Sequence, residues 1–209
     1  MEIQEAYDDW SATYDSDRNL TRDLDHRAAR QTLGHLRFES ILELGCGTGK
    51  NTELLAQIGE RIHALDFSAG MIEKAKLKTA RPNVTLELAD ITRRWPCEDA
   101  SFDLIVCDLV LEHIEDLSFI FSESSRVLKE HGRFFISELH PFRQYQGSVA
   151  RFQRANDTTH IAAYVHHVTD FTGAAMANGL AMISMKELWH DEDLGKPPRL
   201  VTFMFAKGR

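Results

Sequence analysis

Between residues 40 and 58 the chain runs from an apolar stretch, Ser40-Ile41-Leu42-Glu43-Leu44, through glycines at alternate positions, Gly45, Gly47 and Gly49, into a helix-forming stretch, 52–58. No other feature limits the possible folds as much. Glycine lets a backbone turn sharply and pass close to a ligand. A strand that ends in such a turn and restarts as a helix is the first half of a crossover unit, which pairs strands in parallel. The spacing excludes two phosphate-binding loops. The pattern G-x-G-x-x-G needs glycine at 50, where Lys50 stands. The pattern G-x-x-x-x-G-K-[ST] needs glycine at 44 and a hydroxyl at 51, where Leu44 and Asn51 stand.

The alternation continues downstream. Residues 61–65 read as a strand ending at Asp66, and 69–78 as a helix. Residues 84–89 alternate and end at Asp90, and 102–107 form an apolar strand ending at Asp108. Residues 117–128 are helical, and Gly132 precedes a strand over 133–137. Short connections between alternating elements predict a parallel sheet covered on both faces. Segment 140–160, with Pro141 and Gly147, reads as an irregular insertion. A helix near 168–178 precedes strands near 180–187 and 200–206, expected as an antiparallel hairpin on the sheet edge. Upstream, 2–17 reads as a polar helix with Tyr7, Trp10 and Tyr14 on one face, which either packs on the core or closes a ligand site. A second helix is expected over 23–36.

Beyond the loop, four further segments resemble a known pattern in order and spacing. Glu43-Leu44-Gly45-Cys46-Gly47-Thr48-Gly49 resembles motif I of the class I S-adenosylmethionine-dependent methyltransferases. Ile62-His63-Ala64-Leu65-Asp66-Phe67-Ser68 with Met71 resembles their second-strand motif, and Leu88-Ala89-Asp90-Ile91 the third. Ser101-Phe102-Asp103-Leu104-Ile105-Val106-Cys107, running on to Leu109-Val110-Leu111-Glu112-His113-Ile114, resembles the fourth. Val127-Leu128-Lys129 through Gly132-Arg133-Phe134 resembles the fifth. The resemblance spans 39–138. It implies an α/β, doubly wound, Rossmann-like fold: a mainly parallel seven-stranded sheet with a C-terminal antiparallel strand. One domain, 1–209, is expected. It would comprise a helical cap (1–37), a cofactor-binding core (38–139), an acceptor-side insertion (140–167) and a C-terminal helix with strands (168–209).

The implied cofactor is S-adenosyl-L-methionine, leaving S-adenosyl-L-homocysteine as product, with no metal. It carries no phosphates, which suits a glycine loop without a required cation. The resemblance assigns Asp66 to the ribose hydroxyls, with helix capping as the alternative role. It assigns Phe67 and Met71 to the adenine faces and Asp90 with the Ile91 backbone to the adenine edge. Glu43, the backbone of Gly45, Cys46, Gly47 and Gly49, Asp108 and Leu109 go to the methionine end. Tyr14 is expected to join them from the N-terminal segment. The transfer is an in-line attack on the methyl group, so alignment, desolvation and in some cases a base are what the protein supplies.

Basic residues number 24 and acidic 32, for a net charge of −8, so bulk attraction to nucleic acid is disfavoured. Trp95-Pro96-Cys97 holds a Pro-Cys pair, but it precedes the fourth strand where a base-methylating nucleophile would follow it. The three cysteines, Cys46, Cys97 and Cys107, show no paired spacing, and no leader-like or membrane-length apolar run occurs. A reducing, cytoplasmic setting and no membrane partner are therefore expected. The acceptor is expected to be a small molecule. Arg143, Arg151 and Arg154, in a stretch without acids, can hold an anionic one. His140 and then His113, each just beyond a strand's carboxyl end, are the candidate bases. Pro141 restricts His140 to extended backbone, which would aim its ring away from the segment that follows. Two rival readings remain: a non-catalytic cofactor-binding scaffold, and a nicotinamide oxidoreductase disfavoured by the loop spacing.

Overall fold

The computed structural model describes residues 3–154 and 157–208, the side chains of 151–160 excepted. In chain order the elements are α1 (Ile3–Trp10), α2 (Leu20–Leu33), β1 (Phe38–Leu44), α3 (Lys50–Ile58), β2 (Gly59–Asp66) and α4 (Ala69–Lys78). Then come β3 (Val84–Leu88), β4 (Phe102–Asp108), a 3-10 turn (Leu111–His113), α5 (Ser118–Val127), β5 (Leu128–Leu139) and α6 (Pro141–Tyr145). The chain finishes with β6 (Arg151–Arg154), β7 (Asp157–His160), α7 (Val168–Ala177), β8 (Leu180–Leu188) and β9 (Leu200–Lys207).

Seven strands form one sheet in the order β3-β2-β1-β4-β5-β9-β8. The first five are parallel, and β9 runs antiparallel to both β5 and β8. Successive side chains on a strand point to opposite faces, so each strand feeds two cores. Leu42, Leu44, Ile105 and Cys107 pack with Phe121 of α5 and Phe171 of α7. Ile41, Leu104 and Val106 pack with Leu33 of α2 and Leu55 of α3. Both faces are covered, which is what near-continuous apolar strands require. From β1 the chain winds one way to β2 and β3, then jumps back to β4 and β5. The resulting switch point, between β1 and β4 at their carboxyl ends, is where sheets of this type open a crevice.

Several elements differ from the sequence reading: β5 starts at Leu128 rather than after Gly132, and α3 starts at Lys50. The first helix ends at Trp10 and continues as turns. The second begins earlier, at Leu20, because Asn19 caps it: its side chain accepts from Thr21 N at 3.0 Å and Arg22 N at 3.1 Å. Segment 140–167 holds helix α6 and the β6–β7 hairpin, a separate two-stranded sheet.

Candidate functional site

The glycine loop leaves β1 with left-handed backbone at each glycine, φ being 68° at Gly45, 53° at Gly47 and 85° at Gly49. The amides of Gly45 and Cys46 both donate to Leu65 O, at 2.8 and 3.0 Å, which ties the loop to the end of β2. The glycines are needed for different reasons. A Cβ at Gly45 would stand 2.2 Å from Val110 Cγ2, and one at Gly49 would stand 2.9 Å from Thr79 Cγ2. A Cβ at Gly47 would meet nothing within 4 Å. Gly47 instead borders open space.

That space is a cavity of about 510 Å³ over the carboxyl ends of the strands. Gly45 and Gly47 line it, with Asp66, Phe67 and Met71 after β2 and Asp90 and Ile91 after β3. Asp108, Leu109 and His113 join them after β4, and Tyr7 and Tyr14 from the N-terminal segment. No lysine or arginine is among its lining residues. Asp66 spans the loop and the start of α4, accepting from Gly47 N at 2.8 Å through Oδ2 and from Ser68 N at 2.9 Å through Oδ1. Each oxygen keeps a further lone pair. Burial pushes the Asp66 carboxyl up to about 6 despite these amides. Asp90 Oδ1 accepts from Thr92 N and Oγ1, and its other oxygen pairs with Arg93 at 3.3 Å. Burial raises its pKa, but those partners outweigh burial and hold it below the usual value.

Beside the loop lies a smaller cavity, about 60 Å³, lined by Asp25, Glu43, Asn51, Asp108 and Tyr14 among others. Asn51 Nδ2 donates to Asp25 at 3.0 Å and to Asp108 at 2.8 Å, and its Oδ1 pairs with His26 Nδ1 at 2.8 Å. Thr52 Oγ1 donates to Glu43 at 2.6 Å. The second oxygens of Asp25 and Asp108 are buried without a hydrogen-bond partner. Burial raises these carboxyls: Asp25 to about 6, Glu43 to about 8, and Asp108 well above the usual range, with the charges of Asp25 and Glu43 adding to it. Buried acids that crowd one another with orphaned oxygens favour a cationic group, while Arg22 and Lys50 on the same lining offer positive charge to an anionic one. Cys46 is buried in the loop, where it packs with Ala64 and Ile72.

His113 has a defined tautomer. Its Nδ1 lies 2.8 Å from the carbonyl of Ala162, an acceptor, so Nδ1 carries the proton. Nε2 therefore accepts from Tyr7 O–H at 2.8 Å. Burial lowers the His113 pKa and keeps the ring neutral, and burial raises that of Tyr7. Leu109 is a non-glycine residue at φ 58°, with its amide donating to Ser137 O at 2.8 Å. Such backbone costs about 1–2 kcal/mol and persists where surrounding contacts enforce it. Glu138 does part of this, its Oε1 accepting from Val110 N at 2.9 Å and Leu111 N at 2.7 Å.

A second cavity, also about 510 Å³, lies across a wall made of Tyr7, Tyr14 and Leu109, which line both. Arg18, Glu112 and Arg199 line the second alone, and Arg22 lines both the second and the small cavity beside the glycine loop.

His140 is not brought to either large cavity. Pro141 starts α6, and His140 caps that helix. Its Nδ1 accepts from Phe142 N at 3.2 Å, so the ring faces the following segment, the reverse of the sequence expectation. Its Nε2 pairs with Glu187 at 3.0 Å, so both ring nitrogens are occupied. Arg143 is buried and paired with Asp193, which corrects its assignment to an anionic acceptor. The side chains of Arg151 and Arg154 lie outside the described residues.

Sequence reasoning passed over Asp25, Asn51, Arg22 and Glu112. One signal was present: Asp25 stands among Leu24, Ala28 and Ala29 on the buried face of α2, and an acid on an apolar face asks for a partner.

The family described as methyltransferase domain matches residues 42–136. The malonyl-[acyl-carrier protein] O-methyltransferase of Yersinia pestis is 32% identical over 66% of this chain and 50% of its own length. The demethylmenaquinone methyltransferase of Tropheryma whipplei is 33% identical over 56% of this chain and 49% of its own. The chain thus spans about half the length of these curated relatives. Among solved structures, an S-adenosylmethionine-dependent methyltransferase of Mesorhizobium loti superposes with a TM-score of 0.73 at 20% identity, covering 90% of this chain and 100% of that one. A DhpI–SAH complex superposes with a TM-score of 0.75 at 21% identity, over 99% and 96% of the two chains.

Proposed function

We propose that the protein, whose residues 42–136 match the methyltransferase-domain family, is an S-adenosylmethionine-dependent methyltransferase that acts on a small molecule. The observation that carries this reading is the acid-lined, lysine- and arginine-free cavity at the open face of Gly47. Asp66 has two spare lone pairs there, and the orphaned oxygens of Asp25 and Asp108 lie beside the loop. This set fits a ligand with a diol, a flat base and a cationic end, and it does not fit a pyrophosphate. When bound, the cofactor supplies a methyl group made electrophilic by its sulfonium.

The chain's own residues then have these roles. Asp66 accepts from the ribose hydroxyls. Asp90 and Ile91 meet the adenine edge, with Phe67 and Met71 at its faces. Glu43, Gly45, Gly47, Asp108, Leu109 and Tyr14 surround the amino-acid end, while Cys46 and Gly49 shape the loop. His113 holds a free-base ring nitrogen on Tyr7, so a proton leaving an acceptor hydroxyl or amine passes to it through or beside the phenol. We read 38–139 as the cofactor-binding core and 140–167 as acceptor-side structure.

The test has two stages. Calorimetric titration with S-adenosylmethionine, S-adenosylhomocysteine and a nicotinamide dinucleotide should show binding of the first two alone. Small-molecule pools incubated with donor and protein should then yield a product heavier by one methylene. Binding of the nicotinamide dinucleotide alone would refute the cofactor assignment. Tight binding of donor without any transfer across broad pools would favour the non-catalytic reading.

A further inference from the structure

We infer that the second cavity is the acceptor site and that its ligand is a small carboxylate held by Arg22 and Arg199. The inference rests on the first cavity being the donor site, with which the second shares the wall of Tyr7, Tyr14 and Leu109.

The two cavities are sorted by charge. The donor side collects buried acids; the lining of its large cavity includes no lysine or arginine, while Arg22 and Lys50 border the small one. The second cavity is lined by three guanidinium groups and one acid, in a chain whose net charge is −8. What matters is how those cations are compensated. Arg22 donates to the carbonyl of Tyr14 and, at 2.9 Å, to that of Asp17. Its guanidinium lies 3.9 Å from the Tyr14 ring centroid and 5.5 Å from that of Trp10. Among the described residues its hydrogen bonds go to carbonyls, and the carboxylates of Asp15 and Asp23 offset its charge only through space. Arg199 donates twice to Asp193, at 2.8 and 2.6 Å, and to Thr21 Oγ1 at 3.1 Å. Asp193 also receives Arg143, so one carboxylate serves two guanidinium groups and a unit of positive charge is left over. Arg18 sits at the exposed rim, tied to Glu192.

Arg22 has no hydrogen-bonded carboxylate and Arg199 shares one, so the wall of this cavity is positive, and Glu112 opposes it. Burial pushes its carboxyl up to about 7. That positive charge falls when Glu112 is ionised, which suits a single carboxylate better than a phosphate dianion. Guanidinium groups also match a carboxylate in geometry, through paired N–H donors. The volume, about 510 Å³, is that of a small-metabolite pocket. Arg22 lies against Tyr14, one of the wall residues, so an anchored carboxylate rests close to the shared wall. If the carboxylate is itself the nucleophile, an oxygen lone pair forms the new C–O bond, the C–S bond breaks onto sulfur, and no proton moves. If a hydroxyl elsewhere on the acceptor attacks, its proton goes to His113.

The experiment is a methyl-transfer screen with pools sorted into carboxylates, their neutral amide counterparts, phosphates and amines. Calorimetry of active carboxylates runs beside it, with and without S-adenosylhomocysteine. Products should arise from the carboxylate pool, the matched amides reacting at least about 10-fold more slowly, the loss expected for one charge-assisted pair. At saturating donor, which separates the two sites that Arg22 borders, Arg22→Gln should raise the acceptor KM by about 10-fold or more, and Arg22→Lys should recover part of that loss. Should Arg22→Gln fail to fold, the carboxylate-to-amide ratio in the native protein decides. Neutral, amine or phosphate acceptors outrunning carboxylates would overturn the inference, as would an unchanged KM in folded Arg22→Gln. Donor binding with no carboxylate acceptor sinks this inference alone, whereas absence of donor binding sinks the reading beneath it.

Discussion

Replacing Asp66 is the sharpest probe of the donor site. Its carboxylate already holds Gly47 N at 2.8 Å and Ser68 N at 2.9 Å, one on each oxygen. One spare lone pair per oxygen remains for the two hydroxyls of a ribose. Asp66→Asn keeps the shape but turns one oxygen into an NH2 group, which must face a backbone N–H and offers a hydroxyl no charged acceptor. A hydrogen bond to a charged group contributes roughly 1.5–3 kcal/mol. Losing one should weaken donor binding about 10- to 150-fold, and Asp66→Ala, which removes both, should weaken it further. The assay is calorimetric titration with S-adenosylhomocysteine, which needs no acceptor, on variants whose circular dichroism and Tm show a folded protein. A folded Asp66→Ala that binds with native affinity would refute the reasoning and leave Asp66 as a loop brace only.

Five further outcomes are expected. Gly47→Ala should place a methyl in open space and lose donor affinity, while its left-handed backbone costs about 1–2 kcal/mol of stability. Gly45→Ala should lose more stability, read as a lower Tm, because its methyl meets Val110. Donor affinity should rise between about pH 5.5 and 8.5 with proton release, measured by calorimetry in buffers of different ionisation heat. Burial holds Asp25 and Asp66 near 6 and Glu43 near 8 in the free protein, and a bound cation favours their ionised forms. The same raised values mean the folded state binds more protons than the unfolded chain from about pH 4 to 8. Without donor, stability should therefore fall as pH rises across that span, as thermal denaturation at several pH values would show. Finally, His113→Asn should lower turnover of a hydroxyl acceptor by about 10²–10⁴-fold, and His140→Asn should not. A loss in His140→Asn alone, with the fold intact, would reverse the assignment.

How much of this was legible in the sequence follows from the range of each interaction. The strand–glycine–helix turn, the period-2 apolar runs and the acids at 66, 90 and 108 are local features. Parallel strands necessarily bring their carboxyl ends to one edge, so naming the strand ends already gathers those acids there. Alternation and short connections likewise made a covered parallel sheet readable, and the resemblance of five segments to a known family implied its seven strands with one antiparallel. The partnerships were not readable. Asn51 bridges Asp25 and Asp108 from 26 and 57 residues away, and Tyr7 reaches His113 across 106. His113 and His140 each follow a strand, and nothing local separates them. Packing does: one ring is turned onto Tyr7 at a cavity wall, the other caps α6 and meets Glu187 on β8. The arginines divide in the same way. Arg143 and Arg22 look alike along the chain, but the number of guanidinium groups sharing Asp193 is decided only when β9, α6 and the 190–196 turn converge. Charge left uncancelled is a property of that convergence, because Coulomb energy depends on distance in space and on burial, neither of which a linear sequence contains.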